Sequence, residues 1–90
     1  MNVRDDITKI TMYSTSWCGD CVRARMFFDR FKIDYIEVDI EEQPDAEMVM
    51  RQLSGGRRSV PTIHIEYKDN APADLLIEPD FNELAKTFLL

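Results

Sequence analysis

The two cysteines of this 90-residue chain, Cys18 and Cys21, constrain its fold and chemistry more than any other feature. They lie in the segment WCGDC, between a strand-like run and a helix-like run. A thiolate at a helix start is stabilised by free N–H groups and by the helix dipole, so we expect a lowered pKa for the Cys18 thiol. A second thiol one turn further along can attack a mixed disulfide formed on the first. A disulfide closing so small a loop adds little stability, so the pair indicates redox chemistry.

The positions of the two cysteines predict different roles. Cys21 lies three residues before Ala24, at the head of the apolar stripe of the following helix, whereas Cys18 lies at the loop tip. We expect Cys18 to be the exposed attacking thiolate and Cys21 the partly buried resolving thiol. The alternative is half of a zinc site, which needs four ligands. The chain has no further cysteine, and its one histidine, His64, lies within a strand pattern as an expected packing residue.

Hydrophobic periodicity predicts the element order β-α-β-α-β-β-α in a single domain over residues 1–90. Strands are expected at residues 7–14, 35–39, 62–67 and 74–78. Helices are expected at about residues 19–31, from Pro44 to the Gly55-Gly56 pair, and from Pro79 onward. The apolar residues at helical spacing, which predict buried faces, are Ala24, Phe27, Phe28 and Phe31, then Ala46, Val49, Met50 and Leu53, then Phe81, Leu84, Ala85, Phe88 and Leu89.

Charge and hydropathy disfavour several classes of protein. The net charge of −6 argues against nucleic-acid binding, because phosphate contacts need clustered lysine and arginine. No run approaches the ~18 apolar residues of a membrane span. The first nine residues include four charged side chains and lack the apolar stretch of a secretory signal. We therefore expect a cytoplasmic protein that binds neither membrane nor nucleic acid and is monomeric by default.

Three segments together resemble the glutaredoxin family and are most similar to its mycoredoxins: TSWCGDC at residues 15–21, VDIE at 38–41 and GGRRSVPT at 55–62. The similarity runs from about residue 8 to the last residue. It implies an α/β thioredoxin fold with a four-stranded mixed sheet and three helices. It also implies a thiol–disulfide oxidoreductase that acts on protein disulfides, or on mixed disulfides with a low-molecular-weight thiol, without a bound cofactor. The bond between Val60 and Pro61 is expected to be cis and to lie beside the dithiol.

The expected substrate-binding residues are Trp17, Arg57, Arg58, Val60 and Pro61. An aromatic residue before the nucleophile can roof the site, with a core tryptophan as the alternative. The two arginines suit carboxylate recognition by paired hydrogen bonds, and a solvated pair after a helix end is the alternative. The resemblance implies that the backbone of Val60 pairs with the substrate peptide.

Two features with which glutaredoxins bind glutathione are missing. Thr15 stands where they commonly carry lysine, and the run Glu78-Pro79-Asp80 stands where they carry Gly-Gly-Asp. We therefore expect another small thiol as co-substrate, such as mycothiol or bacillithiol. Asp20 stands where thioredoxins generally carry proline and many glutaredoxins tyrosine, and Arg25 is expected to offset its charge only slightly.

Two rival functions stay open. The first is a redoxin that is reduced by thioredoxin reductase and supplies electrons to ribonucleotide reductase. The second is an iron–sulfur carrier, in which one cysteine from each of two subunits and two thiol molecules hold a [2Fe–2S] cluster. Most such carriers lack the second cysteine, whereas this chain keeps Cys21. The dithiol oxidoreductase is therefore the favoured hypothesis.

Overall fold

A computed structural model describes residues 2–90 and confirms the predicted order of elements. The strands are β1 (Ile7–Ser14), β2 (Ile36–Asp39), β3 (Thr62–Tyr67) and β4 (Asp74–Ile77). The helices are α1 (Gly19–Arg30), α2 (Pro44–Leu53) and α3 (Phe81–Phe88), and a short 3₁₀ turn joins β3 to β4. The expected single domain over residues 1–90 stays a prediction, and Met1 lies outside the described residues.

The four strands form one mixed sheet in the order β2-β1-β3-β4. β1 pairs with β2 in parallel and with β3 antiparallel, and β3 pairs with β4 antiparallel. The last five residues of β1 are all buried, because helices cover both faces of the sheet at this end. The loop that follows β1 therefore lies beside the segment that precedes β3, which brings two separate parts of the sequence to one sheet edge.

The larger part of the core lies between the sheet and helices α1 and α3. Phe28 and Phe88 are fully buried there, and their rings pack edge to face with centroids 5.3 Å apart. On the opposite face, Met50 of α2 packs with Tyr13 and Ile40. Both faces of β1 are thus anchored, which fixes the position of the loop that carries the cysteines.

The predicted buried face of α2 is only partly correct. Met50 is fully buried and Ala46 is half-buried, but Val49 is 44% exposed and Leu53 is exposed as well. Among residues 2–90, α2 is the only helix on its face of the sheet, so no neighbouring helix covers the sides of its apolar stripe. Gly55 and Gly56 end the helix as expected, with positive φ values of 73° and 98° that favour glycine.

The last helix also differs in detail from the prediction. α3 begins at Phe81, because Asp80 acts as its N-cap and accepts a hydrogen bond from the Glu83 N–H at 2.8 Å. Phe81 was expected in the buried stripe but is largely exposed, with its ring against Phe27 at the edge of the core. Leu84 and Phe88 are buried as predicted. Within residues 2–90 no helix combines the length and the apolar character that crossing a membrane requires.

Candidate active site

The two cysteines lie at the start of α1 and are joined as a disulfide. Cys18 is the N-cap residue, with extended backbone angles, and its sulfur accepts a hydrogen bond from the N–H of Cys21 at 3.0 Å. A sulfur atom thus takes the place of the side-chain oxygen that usually caps a helix. The free N–H groups and the helix dipole favour negative charge at this point, so the arrangement suits a thiolate on Cys18 in the reduced protein.

The burial of the two cysteines differs from the expectation. Cys21 is completely buried and Cys18 is only 6% exposed, so Cys18 is not the exposed residue that its loop position suggested. The carbonyl oxygen of Val60 lies 3.5 Å from the Cys18 sulfur and covers one side of it. Cys18 is nevertheless the cysteine that borders a surface cleft, whereas Cys21 lies behind it. The assignment of attacking and resolving roles stays a prediction.

The cleft in front of Cys18 has a volume of about 340 Å³ and is formed by three separate segments. Its lining residues are Trp17, Cys18, Gly19, Asp20, Arg58, Ser59, Val60 and Glu78. The segment before β3 is held in shape by the Thr62 hydroxyl, which donates to the Ser59 carbonyl at 2.7 Å. The segment after β4 joins it through the Glu78 N–H, which donates to the Pro61 carbonyl at 2.8 Å.

Most of the expected substrate-binding residues meet at this cleft. Trp17 is 65% exposed at its wall, which excludes the alternative of a core tryptophan. The Val60–Pro61 bond is cis, as expected, with Val60 facing the cleft and Pro61 buried beneath it. Arg58 lines the cleft, but Arg57 does not. The carbonyl of Arg57 accepts a hydrogen bond from the hydroxyl of Ser54, at the end of α2, at 2.8 Å.

Two glutamates that the sequence analysis missed hold the cleft residues in place. Glu47 of α2 accepts a hydrogen bond from Arg58 Nε at 2.6 Å. This contact raises the pKa of Arg58 and lowers the pKa of Glu47. Glu41 accepts a hydrogen bond from the Trp17 indole at 3.0 Å, and its other oxygen lies 3.9 Å from Arg58. No local sequence pattern links these residues, because the tertiary structure brings Glu41 and Glu47 to Arg58.

The acid within the WCGDC segment pairs with a residue of its own helix. Asp20 forms an ion pair with Arg23, one turn further along α1. Arg25 binds Glu37 of β2, with Nε 2.8 Å from Oε1. This ion pair lowers the pKa of Glu37 and raises that of Arg25. Arg25 was expected to offset the charge of Asp20 only slightly, and its pairing with Glu37 is consistent with that expectation.

The two positions that depart from the usual glutathione site have clear structural consequences. Thr15 is fully buried, and its hydroxyl has no hydrogen-bond partner among the described residues. Glu78 borders the cleft with a positive φ of 50°. The buried hydroxyl of Thr15 therefore stands where glutaredoxins commonly carry lysine, and the carboxylate of Glu78 stands where they carry glycine. The lining of the cleft contains one arginine and two acids, Arg58 against Asp20 and Glu78.

Comparison with known proteins connects this geometry to a family. The chain is 43% identical over 54 residues to candidate glutaredoxins of two Mycobacterium tuberculosis strains, covering 60% of this chain and 64% of theirs. It is 29% identical over 56 residues to a glutaredoxin of Pseudomonas aeruginosa, covering 62% of this chain and 66% of that protein. The chain thus matches slightly less than two thirds of the length of the Mycobacterium relatives.

Structural comparison gives the same fold. The crystal structure of the holo form of glutaredoxin C1 from Populus tremula × tremuloides is similar with a TM-score of 0.53 and 24% identity. The similarity covers 62% of this chain and 57% of that one, and it confirms the predicted thioredoxin fold. The family model named glutaredoxin matches residues 10–68, a segment that includes both cysteines, Arg58 and the Val60–Pro61 bond. Since this match covers well over half of the chain, the protein belongs to the glutaredoxin family.

Proposed function

We propose that this protein is a thiol–disulfide oxidoreductase in which Cys18 is the nucleophile and Cys21 the resolving thiol. One observation carries the proposal. The Cys18 sulfur caps α1, accepts a hydrogen bond from the Cys21 N–H at 3.0 Å and borders the cleft, while Cys21 lies fully buried behind it. A substrate in the cleft reaches Cys18 first, and Cys21 is placed to complete the exchange from the protein side.

The exchange proceeds in two balanced steps. The Cys18 thiolate attacks one sulfur of the substrate disulfide, which breaks the substrate S–S bond, forms a mixed disulfide and releases one substrate thiolate. The Cys21 thiolate then attacks the Cys18 sulfur, forms the Cys18–Cys21 disulfide and releases the second substrate thiolate. The substrate gains two electrons and the protein dithiol loses them. A low-molecular-weight thiol or a reductase returns the two electrons and restores both thiols.

We infer that the substrates are disulfide-bearing proteins and mixed disulfides of proteins with a small thiol. Val60 supports this inference, because it faces the cleft from the segment before β3 and its carbonyl lies 3.5 Å from the Cys18 sulfur. An extended substrate chain placed here can pair with the Val60 backbone while its sulfur reaches Cys18. Trp17 provides an exposed aromatic wall for the same chain.

The small thiol is inferred to be one other than glutathione, as in the mycoredoxins. Glutathione carries two carboxylates, while the cleft contains Asp20 and Glu78 and lacks a cation at the buried Thr15. Arg58 is already engaged by Glu47, which reduces its attraction for a further anion. Loss of one charge-assisted hydrogen bond costs about 1.5–3 kcal/mol, or one to two decades in affinity. An uncharged sugar-linked thiol such as mycothiol suits this cleft better than the acidic bacillithiol.

A comparison of reductants tests this proposal against the reductase-linked rival. One mixed-disulfide substrate is turned over with glutathione, mycothiol, bacillithiol, or thioredoxin reductase with NADPH. We expect the highest kcat/KM with mycothiol and at least a tenfold lower value with glutathione. Turnover by thioredoxin reductase alone would identify a redoxin that donates to ribonucleotide reductase. Glutathione turnover equal to that of mycothiol would contradict the proposed thiol preference.

The iron–sulfur alternative and the cellular setting have their own tests. Protein purified without oxygen is expected to lack the visible absorption of a [2Fe–2S] cluster, and a brown protein would favour the carrier function. We infer a cytoplasmic location, because a dithiol that reduces other disulfides needs a compartment in which thiols are kept reduced. We also infer a monomer, as the default state of a small domain. Light scattering measures the oligomeric state, and fractionation of the source cells measures the location.

A further inference from the structure

A second cavity lies between α1 and α3, next to the cleft but separate from the cysteines. We call it the α1–α3 groove. It has a volume of about 300 Å³ and is lined by Arg23, Met26, Phe27, Arg30, Pro79, Phe81 and Leu84. Phe27 and Leu84 belong to the core and form its base, whereas Met26 and Phe81 are 65% and 56% exposed at its sides. Two large apolar side chains thus face solvent around an apolar depression.

The charges at the groove differ in sign from those of the protein as a whole. The chain carries a net charge of −6, yet among residues 2–90 two arginines and no carboxylate line this groove. Arg23 is partly neutralised by Asp20. Arg30 has no ion-pair partner among residues 2–90, and its guanidinium carbon lies 5.7 Å from the centroid of the Phe31 ring. A ligand with an apolar side chain and neighbouring acids therefore complements this surface.

The groove adjoins the cleft in front of Cys18. Asp20 lines the cleft and its ion-pair partner Arg23 lines the groove. Glu78 lines the cleft and the next residue, Pro79, lines the groove. An ion pair and a peptide bond thus form the boundary between the two cavities, so one bound chain can occupy both.

We propose that the α1–α3 groove binds a segment of the substrate protein, with an apolar side chain between Met26 and Phe81 and acidic residues beside Arg23 and Arg30. This proposal rests on the proposed oxidoreductase function. Met26 follows Cys18 by eight helical residues, or ~12 Å at 1.5 Å per residue. An extended chain covers that distance in about four residues at ~3.3 Å each. The favoured substrate therefore carries its apolar residue about four positions from the reacting cysteine.

Model peptides test the proposal. Each peptide carries one cysteine in a disulfide with a small thiol. The peptides differ only at the position four residues from this cysteine and at its two neighbours. The first peptide carries leucine between two aspartates, the second carries alanine between two aspartates, and the third carries leucine between two lysines. The measured quantity is kcat/KM for the peptide divided by kcat/KM for a small symmetric disulfide. We expect this ratio to be about tenfold higher for the leucine–aspartate peptide. Met26→Ser should reduce the leucine preference and Arg30→Glu the aspartate preference.

Matched controls separate the groove from general surface effects. Met48→Ser removes a similarly exposed methionine from α2, and Lys9→Glu reverses an exposed charge on β1. Both variants should keep the preference of the wild-type protein. Equal ratios for all three peptides, or the same loss in the controls, would overturn the proposal. A dimer that Met26→Ser dissociates would also overturn it, because a second copy of the chain would then occupy the groove.

A binding measurement tests the groove proposal independently of the proposed catalytic function. The same peptides with serine in place of cysteine are titrated into the oxidised protein by calorimetry. If the wild-type protein does not turn over the small disulfide, the proposed function fails, and the calorimetric preference for leucine and aspartate still supports the groove. If turnover is normal but the peptides bind equally, the proposed function stands and the groove proposal fails.

Discussion

The indole Nε1 of Trp17 donates a hydrogen bond to Glu41 at 3.0 Å, which ties the aromatic wall of the cleft to the segment that follows β2. The other Glu41 oxygen lies 3.9 Å from Arg58 on a different wall. One carboxylate therefore contacts both an aromatic and a cationic residue of the cleft, although it does not itself line the cavity. Glu41 is therefore expected to position these two residues of the proposed substrate site.

Substitution of Glu41 should loosen Trp17 without affecting the dithiol. Trp17 is the only tryptophan, so its fluorescence reports this contact directly. Glu41→Ala is expected to change the emission, lower the fluorescence anisotropy and raise KM for protein substrates about threefold to tenfold, with kcat nearly unchanged. Glu41→Gln keeps a hydrogen-bond acceptor and should retain most of the wild-type signal. The neighbouring exposed acid provides the control, and identical results for Glu41→Ala and Glu42→Ala would refute the positioning role.

Removal of the carboxylate of Glu78 should make the cleft more tolerant of anionic thiols. Glu78→Gln is expected to raise kcat/KM with glutathione several-fold, because one like charge leaves the cavity, and to change the value with mycothiol much less. Glu42→Gln removes the same charge outside the cleft and controls for the overall field of the protein. The measurement is steady-state turnover at low salt and again at high salt, where screening should reduce the difference. An equal gain for both thiols would mean that charge does not set the preference.

The ion pair between Arg25 and Glu37 should contribute to stability in a pH-dependent way. The arginine holds the pKa of Glu37 below its ordinary value of 4.5. Because the folded-state pKa is the lower one, this stabilisation is present above the unfolded-state pKa and is lost as pH falls through the folded-state pKa. A partly exposed pair of this kind is worth about 0.2–1 kcal/mol.

The test compares urea midpoints of the wild-type protein and Glu37→Gln between pH 7 and pH 3. Glu37→Gln should be less stable at pH 7, and the difference should shrink below about pH 4.5 as the wild-type protein loses the ion pair. A difference that stays constant over this range would show that the effect of the substitution is unrelated to the charge of Glu37.

The packing of α2 predicts that truncation of Met50 lowers the stability of the protein much more than truncation of its neighbour Val49. Met50→Ala removes a fully buried side chain and should cost about 2–4 kcal/mol of unfolding free energy. Val49→Ala shortens a side chain that is largely exposed and should cost well under 1 kcal/mol. Chemical denaturation of both variants measures the difference. Similar losses would mean that Val49 contributes to the core as its helical spacing suggested.

The order of elements could be predicted from the sequence because each element has a regular signal. The spacing of Ala24, Phe27 and Phe28 gives the buried face of α1, and the Gly55-Gly56 pair gives the end of α2. These signals are local, and the structure follows them to within one or two residues at most boundaries. The resemblance around residues 55–62 likewise identified the segment that faces the cysteines.

Contacts between distant segments could not be predicted in the same way. The partner of Arg25 is Glu37, which the tertiary structure supplies from a different element. Only Arg58 of the two adjacent arginines lines the cleft, and nothing in their sequence distinguishes it from Arg57. The exposure of Val49 depends on how much of the sheet α2 covers. Each of these outcomes depends on packing, about which local periodicity carries no information.

Competitive alkylation tests most directly whether Cys18 is the attacking thiol. The fully reduced protein is treated with limiting iodoacetamide at pH 7, and the labelled peptides are quantified by mass spectrometry over time. Cys18 should be labelled at least about tenfold faster, because it borders the cleft at the helix start while Cys21 is fully buried. Faster labelling of Cys21 would contradict the assignment of roles and the mechanism built on it.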